Sequence, residues 1–414
     1  MINMLKRETR EEKPIATTTT TTTPPAIGGR VSRRDFLKLM AAAGIAMTFT
    51  PFVGWGKFLP IPVQASSAAV LNNKQCANLH GVNYLDPKLL VTEKGLMSNL
   101  KLCEPMSTSI KRMASYRFNL LRVPFYWEAF NLNRTAVLDE LEGIMRTAAS
   151  ISDINVKIII DFHHYGVSSY IYDDVWHGGI PSSWLTGYTR GGDKASEDRF
   201  WRYFWTNSIT KNGKSIWKAI AEDVFQPIYN RCDKQYTSGK ISTVLYGYEL
   251  LNEPRVYTST HYSNLGSYHT YVTDKLRSFG TKKKILFNRA YLDTDPGYTS
   301  MTNSPKIAPR NKTGTVFAPH RYSAVYTDIF AKYITLANNW GNLPIIMGEW
   351  ANASKTDKNN YMRELKNNNI GWTYWAWQPQ QSSLDSQELL DTDNNPTTHL
   401  NQLSSLLNTH YPTQ

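Results

Sequence analysis

Short apolar runs alternate with amphipathic stretches along most of this chain. The runs predict strands at Leu79–Tyr84, Leu120–Phe125, Val156–Phe162, Thr243–Leu250, Lys284–Asn288, Thr315–Ala318, Pro344–Met347 and Gly371–Trp375. Most are nearly continuous in apolar residues, the pattern of parallel strands covered on both faces. Between them the spacing turns helical: Leu138, Leu141, Ile144, Met145 and Ala148 share one face, as do Leu400, Leu403, Leu406 and Leu407. Eight alternations of strand and helix predict an α/β fold, a (β/α)8 TIM barrel. Residues 165–242 are too long for one connection and predict an insertion between strands 3 and 4, with helices over Ser196–Trp205 and Ser215–Arg231. Residues 292–313 have no helical period, so the fifth helix is expected to be short or absent.

The first 65 residues follow a different pattern. Thr17 to Thr23 is an unbroken threonine run followed by Pro24-Pro25, which offers no apolar face and predicts disorder. Then come Ser32-Arg33-Arg34-Asp35-Phe36-Leu37-Lys38, an uncharged stretch from Leu39 to Gly56, and small residues at Val63-Gln64-Ala65. This layout resembles a twin-arginine export signal. It implies export, a mature barrel over residues 66–414 with its insertion at about 165–242, and an extracellular or cell-surface location. A membrane is a partner only if the signal segment is retained, which Pro51 and three glycines in that stretch disfavour.

Composition narrows the class. With 414 residues at 41% hydrophobic content the chain can bury a large core. Three cysteines cannot form a disulfide-dense scaffold or a four-thiolate zinc site. Cys76 with Cys103 is one conceivable bridge and free thiols are the alternative. Of the +12 formal charge, residues 1–65 hold +5 and leave +7 for the rest, with no basic run longer than clusters such as Lys282-Lys283-Lys284. No nucleic-acid partner is expected. The chain lacks a P-loop, a His-Glu-x-x-His pair and a Gly-x-Ser-x-Gly elbow, and no metal or cofactor is expected.

In a parallel barrel, reactive side chains sit where strands end. The candidate strands end on Arg122, His163, Asn252-Glu253, His320 with Tyr322, Glu349, and Trp375. Two glutamates among them are the pair that glycoside cleavage needs, one to protonate the leaving oxygen and one to stabilise or capture the anomeric centre. The strings Phe118-Asn119-Leu120-Leu121-Arg122-Val123-Pro124, Asp161-Phe162-His163, Asn252-Glu253-Pro254, His320-Arg321-Tyr322, Gly348-Glu349 and Trp372-Thr373-Tyr374-Trp375 together resemble glycoside hydrolase family 5.

The resemblance implies a retaining hydrolase acting on a β-glucan poly- or oligosaccharide as an endo-β-1,4-glucanase, with Glu253 as acid/base and Glu349 as nucleophile. Asn252 would bind the sugar 2-hydroxyl, Arg122 and Tyr322 would hold Glu349 ionised and aimed, and His163 would bind sugar hydroxyls. His320 would lie near Glu253, and Trp375 would form a stacking floor. Asn83 could lie near the site but receives no role. A β-mannanase and a non-enzymatic carbohydrate-binding surface protein are the rival readings, and a monomer is expected. Strand alternation places only one of His163 and His164 inside the barrel. Trp372 and Trp377 are expected in the core, as are Trp201 and Trp205 within the insertion.

Overall fold

The computed structural model describes residues 74–93, 95–96, 103–164, 179–185, 194–256, 259–290, 307–322, 327–351, 354–378 and 388–412. The expected disordered tract and export signal lie outside the described residues. So do residues 291–306, where the fifth helix was in question, and parts of the expected insertion, residues 165–178 and 186–193.

The strands are β1 (His80–Asn83), β2 (Leu120–Phe125), β3 (Lys157–Phe162), β4 (Thr210–Lys211), β5 (Lys214–Ser215), β6 (Leu245–Glu249), β7 (Lys284–Phe287), β8 (Thr315–Phe317), β9 (His320–Arg321), β10 (Ile346–Trp350) and β11 (Gly371–Tyr374). Apart from the small antiparallel hairpin β4–β5, they form one parallel sheet in the order β8-β7-β6-β3-β2-β1-β11-β10-β9. The two edges of that order belong to one stretch of chain, since β8 and β9 are separated only by Ala318 and Pro319. A proline has no N–H for the ladder, which breaks the strand there. Phe317 pairs in parallel with Ile345 and donates its N–H to Pro344 O at 2.9 Å, while β9 pairs with β10. The sheet ends therefore meet, as the predicted (β/α)8 barrel requires.

Two predicted strands shift by two residues or more. Thr243 and Val244 belong to a helix, Gly239–Val244, and the seventh barrel strand extends past Met347 to Trp350. The second difference matters, because it places Glu349 within the strand rather than after it. The helices pack outside as expected. Arg134–Ser150 is capped by the Asn133 side chain, which accepts from Ala136 N, and it buries Leu141, Ile144, Met145 and Ala148. Thr398–His410 buries Leu400, Leu403, Leu406 and Leu407. Trp350 stacks on Tyr361 of the helix Lys355–Asn367 at 4.7 Å, so the outward face of β10 is sealed.

In the described stretch between β3 and β6, Phe200, Trp201, Phe204 and Trp205 are buried, Trp201 stacks on Trp205 at 5.5 Å, and they join the main core, where Phe204 and Trp205 pack against Tyr268. Trp372 and Trp377 are also fully buried. The three cysteines are free thiols, so the conceivable Cys76–Cys103 bridge is not formed. Cys76 is buried in the barrel floor with Leu120, Ile159, Leu286, Val316 and Ile346, and burial raises its pKa to about 11. Among the described residues no helix is long and apolar enough to cross a membrane.

Candidate active site

Strand alternation builds the site one layer above that apolar floor. Two residues along each strand return a side chain to the same face, so Leu120 is followed by Arg122, Ile159 by Asp161, Gly247 by Glu249, Leu286 by Asn288 and Ala318 by His320. Glu349 arrives differently. Met347 and Trp350 pack into the outer core, and the β10–β11 register shifts between them. This irregularity lets Gly348 and Glu349 both face inward, the effect of a bulge. Gly348 has to be glycine, since a Cβ there would lie 2.8 Å from His320 Nε2.

Arg122 is the hub, with a fully buried side chain. Its Nε and Nη2 donate to the two oxygens of Glu249 at 2.7 and 3.0 Å, and Nη2 also lies 2.9 Å from Asp161. Nη2 donates to Asn252 Oδ1 at 2.8 Å, and Nη1 donates to Asn83 Oδ1 at 2.8 Å and to Glu349 Oε1 at 2.7 Å. A planar fork of five donors suits such a cluster where an ammonium would not. Burial opposes its charge, yet Asp161, Glu249 and Glu349 raise its pKa well above the usual arginine value. Burial likewise works against ionised Glu249, but Arg122 and then His320 bring it down to about 2. For Asp161 burial prevails and the pKa is raised.

The other oxygen of Glu349 accepts from Tyr322 Oη and lies 3.4 Å from His320 Nδ1. His320 Nδ1 also lies 3.1 Å from Glu253 Oε1, so one imidazole nitrogen faces both glutamates. An oxygen of Glu253 and an oxygen of Glu349 stand within 4.8 Å of each other. With His320 they form a group whose spacing could admit a cation, but both oxygens of Glu349 already accept from Arg122 and Tyr322. Glu253 is half-buried with φ of +39°, a conformation costly for a side chain with a Cβ and kept only where the surroundings impose it. Those surroundings are visible. Asn252 donates its N–H to Phe162 O and its Nδ2 to His164 O, and Trp205 donates to Arg255 O at 2.7 Å.

His163 Nδ1 lies 2.7 Å from Asp161, and its ring stacks on Trp375 at 5.6 Å with planes 10° apart. His164, one residue on, packs against Trp201 at 4.9 Å on the opposite side, as alternation requires. Of the eight residues singled out in the sequence, Arg122, Asn252, Glu253, His320, Tyr322 and Glu349 form one cluster of direct contacts, and Asp161 joins His163 and Trp375 to it through Arg122. Sequence reasoning left out Asp161, Glu249 and Asn288 and gave Asn83 no role. A signal for Asp161 and Glu249 was present, because each is a carboxylate inside an otherwise apolar strand. Asn83 donates to Gly348 O and Tyr374 O while accepting from Arg122, which ties four strands together, β1, β2, β10 and β11.

Proteins of known structure share this fold. The described relatives by fold include endo-glycoceramidase II from Rhodococcus sp., with a TM-score of 0.60, 15% identity, and coverage of 79% of this chain and 78% of that one. A crystal structure of an endogalactoceramidase has a TM-score of 0.58 at 16% identity, covering 80% of each chain. At such identity these likenesses speak for the fold alone. No curated protein sequence matches the chain. The model of the family described as Cellulase (glycosyl hydrolase family 5) matches residues 91–381, well over half of the chain and every strand from β2 to β11, and the chain belongs to that family.

Proposed function

We propose that this protein is an exported, retaining endo-β-1,4-glucanase in which Glu349 is the nucleophile and Glu253 the acid/base. The observation that carries the reading is the unequal setting of two carboxylates within 4.8 Å of each other. Glu349 is held from both sides by Arg122 and Tyr322, which fixes the aim of its carboxyl group, whereas Glu253 meets His320 and stays partly open. Retaining enzymes need the pair about 5–5.5 Å apart, whereas inverting ones need about 6.5–9.5 Å to admit water. Glu253 would protonate the departing oxygen as Glu349 attacks the anomeric carbon, and would then take a proton from the water that releases the sugar. Asn252 and His163 would bind hydroxyls, and Trp375 would support the sugar whose bond is cut. The serine, paired arginines, Phe, Leu and Lys at residues 32–38 support export by the twin-arginine route to the cell surface or beyond.

Proton NMR of the first-formed product tests the mechanism: the β-anomer is expected, and initial α-anomer refutes it. Azide tests the roles. With an activated aryl glycoside, Glu253→Ala should be accelerated by azide and give the β-glycosyl azide, while Glu349→Gly should give the α-product. The same anomer from both would overturn the assignment. The two fold relatives whose names specify ceramide glycosides favour a second reading, release of a glycan from a lipid-like aglycone. A substrate panel of soluble cellulose derivatives, mixed-linkage glucan, laminarin, xylan, mannan and lactosylceramide separates these readings from each other and from a mannanase.

A further inference from the structure

Two influences compete at His320. Burial disfavours its charge, but Glu349, Glu249 and Glu253 lift its pKa to about 9. Burial raises Glu253, but the hydrogen bond and charge of His320, then Arg289 and His163, bring it to about 2. Left to these charges alone, the shared proton would sit on the imidazole and Glu253 would be a carboxylate. Such a group can activate water but holds no proton for a leaving oxygen.

The opposite ring nitrogen tells against that arrangement. His320 Nε2 lies 3.0 Å from Asn288 Nδ2. The orientation of the Asn288 amide is set twice over: its Oδ1 accepts from the Arg289 backbone N–H at 2.9 Å, and its Nδ2 donates to Glu249 Oε1 at 3.3 Å. Turning the amide over would press its oxygen on the Glu249 carboxylate and its NH2 on the Arg289 N–H. Asn288 therefore presents a donor to Nε2, and a proton on Nε2 would set N–H against N–H. Glu249 Oε1 is 3.7 Å from Nε2, beyond hydrogen-bond distance, and already accepts from Arg122 and Asn288. The charged groups around the ring are Glu249 and Glu253 from β6 and its loop, Glu349 from β10 and Arg122 from β2.

We infer that Asn288 is a positioning residue that keeps Nε2 of His320 unprotonated, so that His320 is a neutral Nδ1–H donor and the shared proton resides on Glu253. The inference rests on Glu253 being the acid/base. The proton balance follows directly. In the first step the Glu253 proton passes to the glycosidic oxygen, and the carboxylate left behind still accepts Nδ1–H. In the second step Glu253 takes a proton from water and is restored. The imidazole carries one proton throughout.

The test is Asn288→Asp, which offers Nε2 an acceptor, favours the imidazolium and leaves Glu253 ionised. On cellotetraose, whose leaving group needs an acid, kcat/KM should fall on the order of 100-fold, while on 2,4-dinitrophenyl β-cellobioside, which needs none, it should change less than about threefold. Asn288→Ala, which removes the donor without adding charge, should shift the same ratio in the same direction by less. Equal losses on both substrates would mean a structural role only and overturn the inference. In the wild-type protein, nitrogen NMR of labelled histidine, with His320 assigned by its loss in His320→Gln, should show one protonated and one bare ring nitrogen between pH 6 and 7.5. An imidazolium pattern there would also overturn it. The NMR arm needs no substrate, so a protein inert on both glycosides would refute the glucanase proposal while the state of His320 was still decided.

Discussion

The two ends of the barrel interior use the same strands for opposite purposes. At the floor, Leu120, Ile159, Leu286, Val316 and Ile346 fill the space with apolar side chains, and none carries a polar group to satisfy. One layer higher β2, β3, β7 and β10 or the residue that follows them contribute Arg122, Asp161, Asn288 and Glu349, joined by Glu249 from β6 and His320 from β9, all buried. The floor depends on shape and tolerates a hydrophobic exchange of similar volume. The upper layer depends on charge balance, since one arginine faces three carboxylates and each buried ion is tolerable only beside its partners. A difference of two residues along a strand thus separates a part of the molecule that holds it together from a part that can perform chemistry at some cost in stability.

Replacing the hub should break this contrast most severely. Arg122→Met leaves Asp161, Glu249 and Glu349 buried without their common cation, and a loss of about 3–5 kcal/mol is expected in urea unfolding, together with loss of activity. An equally stable variant would mean that the upper layer is not balanced through Arg122. Gly348→Ala is the next largest. Its Cβ would meet His320 Nε2 at 2.8 Å, so about 1–3 kcal/mol of overpacking is expected, with the activity loss exceeding what the lost folded fraction explains. On the floor, Ile159→Val should cost about 0.5–1.5 kcal/mol and leave kcat/KM within about twofold of wild type. A larger kinetic effect there would show that the two layers are coupled.

The effect most confined to one pH window concerns a buried cation. Lys358 donates to His399 Nδ1 and Gln402 Oε1, and burial lowers its pKa from 10.5 to about 8. The folded state therefore binds this proton less tightly than the unfolded chain, and stability falls as pH drops from about 10.5 through about 8. Relative to wild type, Lys358→Met should gain about 2 kcal/mol between pH 10 and pH 7 in paired thermal melts. A pH-independent difference would mean that the lysine charge is relieved in the folded state, as the charge of Arg122 is.

The apolar runs by themselves determined where the barrel strands lie, because a parallel strand covered on both faces leaves a continuous hydrophobic signature whatever its neighbours are. Strand-end polarity in the same way exposed His163, Glu253, His320 and Glu349, since an ionisable residue where an apolar run stops stands out locally, and Arg122 stood out as a charge inside the apolar run Leu120–Phe125. Asp161, Glu249, Asn83 and Asn288 were not legible as partners, although each is plain in the sequence. Which of them faces Arg122 or His320 depends on closure of the sheet and on cross-strand register, and these bring together residues as far apart as Arg122 and Glu249 or Asn83 and Gly348. The inward turn of Glu349 was equally hidden, for simple alternation from Met347 does not account for Gly348 and Glu349 both facing inward, and the β10–β11 irregularity does. Only the tertiary structure decided these points. Hydrophobic periodicity is a property of one segment, whereas charge pairing and bulged register are properties of two or more segments packed together.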